Sequence, residues 1–146
     1  MKIPDTSVTL PVFYALPEGE INFMSKPGKT GLVRIIDAFG YSMKGFAAVW
    51  RFEAAFRQEA VLALVLIPTA FWLATTHIEL ILLIASIVWV LMAELANSSV
   101  EAVVDRTGLE KHELSGRAKD IGSALVFVSL VLLAFVWGIV AVNRFW

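Results

Sequence analysis

Residues 80–100 read LILLIASIVWVLMAELANSSV, a run long and apolar enough to cross a bilayer although it contains an acid, Glu94. A charged side chain at the centre of a membrane helix costs roughly 2.5–3.5 kcal/mol on insertion scales, so such acids usually serve a function. Asn97, Glu101 and Asp105 follow at intervals that place all four polar side chains on one face of a helix. The sequence therefore predicts a polar face that runs along a membrane helix towards the membrane surface.

Two further segments have the length and apolarity of membrane helices. Hydrophobic residues make up 58% of the chain and charged residues 17%, and the mean hydropathy is +0.75, which is too apolar for an ordinary soluble domain. Residues 60–78 and 121–143 contain no Asp, Glu, Lys or Arg. We therefore predict an all-α membrane protein with transmembrane helices at 60–78, 80–103 and 118–143 and a cytoplasmic loop at 104–117. Because three helices enclose few interior positions, we also expect the chain to form an oligomer.

The distribution of basic residues predicts the orientation of the chain in the membrane. Of the twelve Lys and Arg residues, seven precede the first span, four lie between Val100 and Ile121, and one, Arg144, follows the last span. Because Lys and Arg concentrate on the cytoplasmic side, the N-terminus is predicted to be cytoplasmic and the C-terminus periplasmic. The polar face then ends at the cytoplasmic surface, where nucleotides are found. The chain contains no cysteine, which excludes disulfides and thiolate metal sites.

The region before the first span divides into two parts. Residues 1–27 contain four of the five prolines and no sustained period, which predicts an irregular extension. Residues 28–59 combine apolar residues at helical spacing with basic and aromatic residues, so we predict an amphipathic surface helix region in the headgroup layer. Gly40 and Gly45 are expected to divide it into a short helix, a turn and a second helix. Simple membrane anchoring is the alternative use of such a region.

The charged residues near the cytoplasmic end are of the types that phosphoryl transfer needs. Glu53 and Glu59 precede the first span, and Lys111, Arg117 and Lys119 follow the acids of the second. Mg²⁺ usually takes one or two carboxylates together with phosphate oxygens, and the transfer also needs cations and a base.

Familiar nucleotide and zinc motifs are absent from the sequence. The tripeptide Gly-Lys-Thr at 28–30 lacks the earlier glycine of a P-loop, and His77 and His112 are too far apart to form a zinc pair. Any nucleotide site would therefore have to be of a different kind.

Three blocks of the sequence resemble the prokaryotic diacylglycerol kinase family: EAAFRQE at 53–59, ELANSSVEAVVD at 94–105 and HELSGRAKDIGS at 112–123. The element Gly-Tyr-Ser at 40–42 fits as well, and the resemblance extends from about residue 31 to the C-terminus. It implies an inner-membrane kinase, a homotrimer of three-span subunits with an amphipathic surface helix. Such an enzyme transfers the γ-phosphate of MgATP directly to the primary hydroxyl of diacylglycerol and yields phosphatidic acid.

The resemblance also implies roles for individual residues. Glu94 would be the general base, Asn97 would support it by hydrogen bonding, and Glu53 and Glu101 would hold Mg²⁺. The residues implied to bind ATP are Arg34, Tyr41, Glu53, Glu101, Glu110, Lys111, His112, Lys119 and Asp120. The residues implied to bind or frame the lipid are Arg34, Gly40, Tyr41, Ser42, Ala55, Phe56, Arg57, Gln58, Glu59, Glu94 and Ser123. Sites in this family are shared between subunits, so two chains would complete each site.

Two alternatives to this function remain open at the level of sequence. An undecaprenol kinase of the same superfamily would share the fold and the Mg²⁺ ligands but phosphorylate a polyprenol. A proton-relay or channel subunit would use Glu94 as its titrating acid. The block at 112–120 is more similar to the diacylglycerol branch, and a channel has no need of a charged cytoplasmic loop beside the polar face. The sequence departs from the family pattern at Met43, Phe52 and Lys111.

Overall fold

The computed structural model describes residues 31–107 and 112–146, and within these ranges the chain is helical, as predicted, with no strand. The elements, in chain order, are α1 Leu32–Phe52, α2 Ala54–Leu73, α3 His77–Thr107 and α4 Glu113–Phe145. The predicted extension at 1–27, the tripeptide at 28–30 and the predicted ATP-binding residues Glu110 and Lys111 lie outside the described residues. The described residues divide into two units between Ala38 and Phe39.

Helix α1 is continuous, so the expected division at Gly40 and Gly45 is wrong. A glycine inside a helix weakens it by about 1 kcal/mol relative to alanine but keeps its backbone hydrogen bonds, so it need not end the helix. The interruption comes instead at Glu53, whose backbone is extended (φ −104°, ψ 112°) between α1 and α2. No residue of α1 is buried, and Phe46 and Trp50 are exposed. That α1 lies in the headgroup layer stays a prediction.

Helices α2, α3 and α4 are each long and apolar enough to cross a membrane. Their ends differ from those expected from hydropathy. The predicted span 60–78 starts within α2 and continues beyond its last residue, Leu73. The predicted spans 80–103 and 118–143 each lie inside a longer helix, α3 or α4. Helical hydrogen bonding involves the backbone, so a helix continues where its side chains become polar. Residues 113–117, expected in the loop, accordingly form the start of α4.

The start of α3 at His77 is explained by a reciprocal cap. The N–H of Glu79 donates to Thr76 Oγ1 at 3.2 Å, and the N–H of Thr76 donates to Glu79 Oε2 at 3.1 Å. The same carboxylate oxygen accepts from the N–H of Thr75 at 2.8 Å. This is the capping-box arrangement, which satisfies donors that have no partner inside the helix. The connection between α2 and α3 is therefore short and rigidly hydrogen-bonded.

One stripe of α3 forms most of the interior. Its buried residues recur at helical spacing and are Leu83, Ser86, Ile87, Val90, Ala93, Glu94, Asn97 and Ser98. At the end nearer the α2–α3 connection, the stripe packs against α2 and α4 through Ala70, Leu73, Leu83 and Val140. At the other end the same stripe becomes polar. The packing that holds the three helices together thus also carries Glu94 into the interior.

Candidate active site

Glu94 lies in the polar half of the buried α3 stripe and is only 3% exposed. Asn97, one turn further along, is also buried, and its Nδ2 donates to Glu101 Oε1 at 3.1 Å. Ser98 is buried beside them. Helix α3 therefore presents two carboxylates and an amide on one face.

Glu94 interacts electrostatically with three other glutamates. The charges of Glu101 and Glu53 act on Glu94, and Glu94 in turn acts on Glu59. Glu53 lies at the junction between α1 and α2, and Glu59 lies in the second turn of α2. Like charges in a poorly solvated site repel strongly, since the effective dielectric constant there is lower than in water. These four glutamates, called the carboxylate cluster below, are thus suited to binding a cation.

Glu53 and Glu101 have the donor chemistry that the predicted Mg²⁺ requires. The Glu53 carboxylate makes no capping hydrogen bond, and the hydrogen bond from Asn97 is made to Oε1 of Glu101. In residues 31–107 and 112–146, no three His, Cys, Asp or Glu side chains form a metal-binding group. Mg²⁺ is commonly held by one or two carboxylates plus substrate phosphates. That Glu53 and Glu101 hold Mg²⁺ together with a nucleotide stays a prediction.

Lys119 supplies a cation on α4 next to these acids. Its Nζ lies 2.6 Å from Asp105 Oδ1 on α3, and the charges of Glu101 and Glu53 also act on it. A lysine ammonium is a compact charge with three donors, which suits a phosphate oxygen. In this structure one of its neighbours is Asp105, a residue of the predicted polar face to which sequence reasoning gave no role of its own.

Comparison with known proteins identifies the family to which this arrangement belongs. The family model described as prokaryotic diacylglycerol kinase matches residues 40–141, which include all of α2 and α3 and most of α4. The chain belongs to the prokaryotic diacylglycerol kinase family.

Curated members of the prokaryotic diacylglycerol kinase family are similar to this chain over nearly their whole length. A diacylglycerol kinase of Haemophilus influenzae is 52% identical over 109 residues, which cover 75% of this chain and 92% of the relative. A diacylglycerol kinase of Escherichia coli strain K12 is 50% identical over 116 residues, 80% of this chain and 95% of the relative. A diacylglycerol kinase of Helicobacter pylori strain J99 is 39% identical over 117 residues, 80% and 91% respectively.

The residues that the diacylglycerol kinase resemblance assigned to the lipid differ in their burial. Glu59 is half-buried and lines a narrow groove, together with apolar residues of α2, α3 and α4. Phe56 is buried, whereas Ala55, Gln58 and Ser123 are exposed. Four of these residues belong to α1; Arg34, Tyr41 and Ser42 are exposed, and Gly40 is half-exposed. Their roles in lipid or nucleotide binding stay predictions.

Two other residues with predicted roles in binding make hydrogen bonds at the ends of helices. Arg57 Nη1 donates to the carbonyl oxygens of Trp50 at 2.8 Å and Arg51 at 3.3 Å, so it satisfies acceptors at the C-terminus of α1. His112 Nδ1 accepts from the N–H of Leu114 at 3.2 Å and caps the N-terminus of α4. Asp120 is exposed on α4. These local contacts hold the segments that lead into the site.

Sequence reasoning about this diacylglycerol kinase family member missed one residue that contacts the site directly. Gly122 of α4 is buried, and a Cβ built on it would overlap Oδ1 of Asn97. The spacing of Ala118 and Gly122 indicates close helix packing. It does not indicate which residue of α3 would be met.

Proposed function

We propose that this chain phosphorylates the primary hydroxyl of diacylglycerol with MgATP, yielding phosphatidic acid at the cytoplasmic surface of the bacterial inner membrane. The observation that carries the proposal is the burial of Glu94 in a membrane-length helix beside Glu53, Glu59 and Glu101. A carboxylate in a membrane-length helix lies in the part of the chain where a lipid alcohol would have to bind, and the curated relatives are named diacylglycerol kinases.

Glu94 acts in this proposal as the general base. Its carboxylate accepts the proton of the lipid hydroxyl while the hydroxyl oxygen forms a bond to the γ-phosphorus of ATP. The bond between the γ-phosphorus and the β–γ bridging oxygen breaks, and ADP leaves with that oxygen. No group on the protein is phosphorylated on this path. The protein's contribution is to hold the alcohol, the base and the phosphate in line.

The other charged residues hold the nucleotide. Glu53 and Glu101 bind Mg²⁺, which offsets the negative charge of the ATP phosphates when it is bound. Lys119 donates a hydrogen bond to a phosphate oxygen. The ion pair with Asp105 holds the Lys119 side chain on the side of α4 that faces α3. Asn97 fixes the Glu101 carboxylate through its hydrogen bond.

We propose further that the working unit is a homotrimer with sites shared between subunits. Within the described part of one chain, Glu59 Oε2, Asn97 Oδ1 and Ser98 Oγ are buried without a hydrogen-bond partner. Most apolar side chains of the three membrane-length helices are exposed in the single chain. A neighbouring subunit would cover part of this surface and would bring the surface helix α1 of one chain to the carboxylates of another.

A transfer assay on purified protein tests the function. We expect the protein in detergent micelles to transfer labelled phosphate from ATP to diacylglycerol in a Mg²⁺-dependent reaction. Undecaprenol is assayed under the same conditions as the alternative substrate. Preferential labelling of undecaprenol would assign the chain to polyprenol phosphorylation, and labelling of neither lipid would refute kinase activity.

A further inference from the structure

Gly122 is the one glycine in the described chain at which a neighbouring residue leaves no room for a side chain. A Cβ at this position would overlap Asn97 Oδ1 and lie 3.3 Å from Asn97 Cγ and 3.7 Å from Asn97 Cα. At Gly40, Gly45, Gly116 and Gly138 an added Cβ would meet nothing within 4 Å. The contact therefore reflects a specific approach of α4 to Asn97 and is not a general property of glycine in these helices.

The Asn97 side chain is held from two sides. Its Oδ1 lies against Gly122, while its Nδ2 donates to Glu101 Oε1 at 3.1 Å. The side-chain amide is planar, so a displacement of Oδ1 also displaces Nδ2. Turning the amide over would direct Oδ1 at the Glu101 carboxylate, and two acceptors repel each other. The hydrogen bond to Glu101 thus favours the orientation of Asn97 in which Oδ1 faces Gly122.

We propose that Gly122 is a positioning residue that acts through Asn97 to orient the Glu101 carboxylate. The hydrogen on its Cα leaves room for Asn97 Oδ1, and Asn97 then holds Glu101 in the direction needed for a metal–nucleotide complex. The proposal rests on the proposed function only in that Glu101 is a Mg²⁺ ligand. Gly122 itself touches neither substrate nor metal.

A methyl group at position 122 would push the Asn97 amide away and lengthen its hydrogen bond to Glu101. The removal of groups that orient metal ligands typically weakens metal affinity by about 10–100-fold. We therefore expect Gly122→Ala to weaken the binding of Mn²⁺ together with a non-hydrolysable ATP analogue by at least about tenfold. The Mg²⁺ concentration for half-maximal activity should rise in parallel, with a smaller change in kcat, because Glu94 keeps its place on α3.

The test uses the full-length protein in detergent micelles and four variants: Gly122→Ala, Asn97→Ala, the double variant, and Gly138→Ala. Gly138 lies on the same helix in open space, so its variant should bind Mn²⁺ like the wild type. Mn²⁺ binding is measured by electron paramagnetic resonance, which needs no turnover. In the Asn97→Ala background there is no amide to displace, so the Gly122 substitution should add less than about twofold to the loss.

Three results would overturn the proposal. The first is wild-type Mn²⁺ binding by Gly122→Ala, and the second is a loss in the double variant equal to the product of the single losses. If Gly122→Ala fails to fold, the double variant should fold because the overlap with the side-chain amide is gone. The third contrary result is a double variant that also fails to fold. That result would show that Gly122 serves only helix packing and does not act through Asn97.

The orientation of Asn97 is also measured without metal, nucleotide or lipid. The side-chain amide signals of Asn97 in NMR spectra of the ligand-free protein should shift in Gly122→Ala and stay unchanged in Gly138→Ala. An unchanged signal in Gly122→Ala would refute the contact. A shifted signal in a protein that phosphorylates no lipid would refute the proposed function and leave the positioning by Gly122 intact.

Discussion

Lys119 of α4 and Asp105 of α3 form an ion pair, with 2.6 Å between Nζ and Oδ1. The two side chains are 38% and 65% exposed, so the pair is open to solvent and to exchange with another anion. Surface ion pairs of this kind contribute little to stability. The exposure of the pair leaves Lys119 accessible to another anion, as its proposed role in ATP binding requires.

Lys119→Met tests this role of the cation. We expect the KM for ATP to rise by about tenfold, since hydrogen bonds to charged groups contribute more than neutral ones. Asp105→Asn should raise the same KM by less, because Lys119 keeps its charge and loses only its orientation. The matched control is Arg117→Met, which removes a cation of α4 whose partner is the exposed Glu113. An unchanged KM in Lys119→Met would remove this residue from the nucleotide site.

Glu94→Gln should abolish turnover and leave nucleotide binding intact. A general base typically contributes about 10²–10⁴-fold, so we expect kcat to fall by at least about 10²-fold. Glutamine has nearly the same shape and introduces no charge into the buried stripe, which favours retention of the fold. Transfer to diacylglycerol and binding of an ATP analogue are measured on the same preparation. The control is Glu79→Gln, which changes an acid at the other end of α3; near-normal transfer by Glu94→Gln would exclude Glu94 as the base.

Glu53→Gln and Glu101→Gln should each raise the Mg²⁺ concentration needed for half-maximal activity. The loss of a metal ligand should cost at least as much as the loss of a group that orients one, about tenfold. If both residues hold the same ion, the double variant should lose less than the product of the single effects. Glu113→Gln on α4 is the control for removal of an acid outside the carboxylate cluster. An unaltered Mg²⁺ requirement in both single variants would contradict the assignment.

Thr76→Ala should destabilise the protein without altering its chemistry. Thr76 accepts the hydrogen bond from the N–H of Glu79 that begins α3, and N-cap substitutions of this type cost about 1 kcal/mol. We expect a lower melting temperature in detergent, with the KM for ATP and the Mg²⁺ requirement unchanged. Thr76→Ser keeps the hydroxyl and should restore the melting temperature. A shifted Mg²⁺ requirement in Thr76→Ala would show that this end of α3 is coupled to the carboxylate cluster.

The fold could be predicted from the sequence to the level of its three membrane-length helices. Hydropathy alone reports where side chains are apolar, which is why it placed the start of α4 at 118 and not at Glu113. The start of α3 is also encoded locally in the sequence, since Thr76 and Glu79 have capping-box spacing. The sequence did not predict that α1 continues through Gly40 and Gly45. A glycine lowers the local stability of a helix but does not by itself mark the end of the helix.

In the candidate site, relationships within one helix could be predicted from the sequence, whereas those between helices could not. Glu94, Asn97 and Glu101 follow one another at helical spacing, so their common face could be inferred from the helix period. The same spacing is consistent with the Asn97–Glu101 hydrogen bond, which lies within α3. The role of Asp105 as the partner of Lys119 could not be inferred in this way, because the two residues belong to different helices.

The sequence by itself determined that this is a helical membrane protein of the diacylglycerol kinase family with acids on one face of its second membrane-length helix. These properties depend on composition, helical period and matched motifs, all of which are local in the chain. Only the tertiary structure decided that Gly122 lies against Asn97, that Lys119 reaches Asp105, and that Glu53 acts electrostatically on Glu94. Such relationships depend on how closely and at what register helices pack, which side-chain volumes across the whole interface determine together.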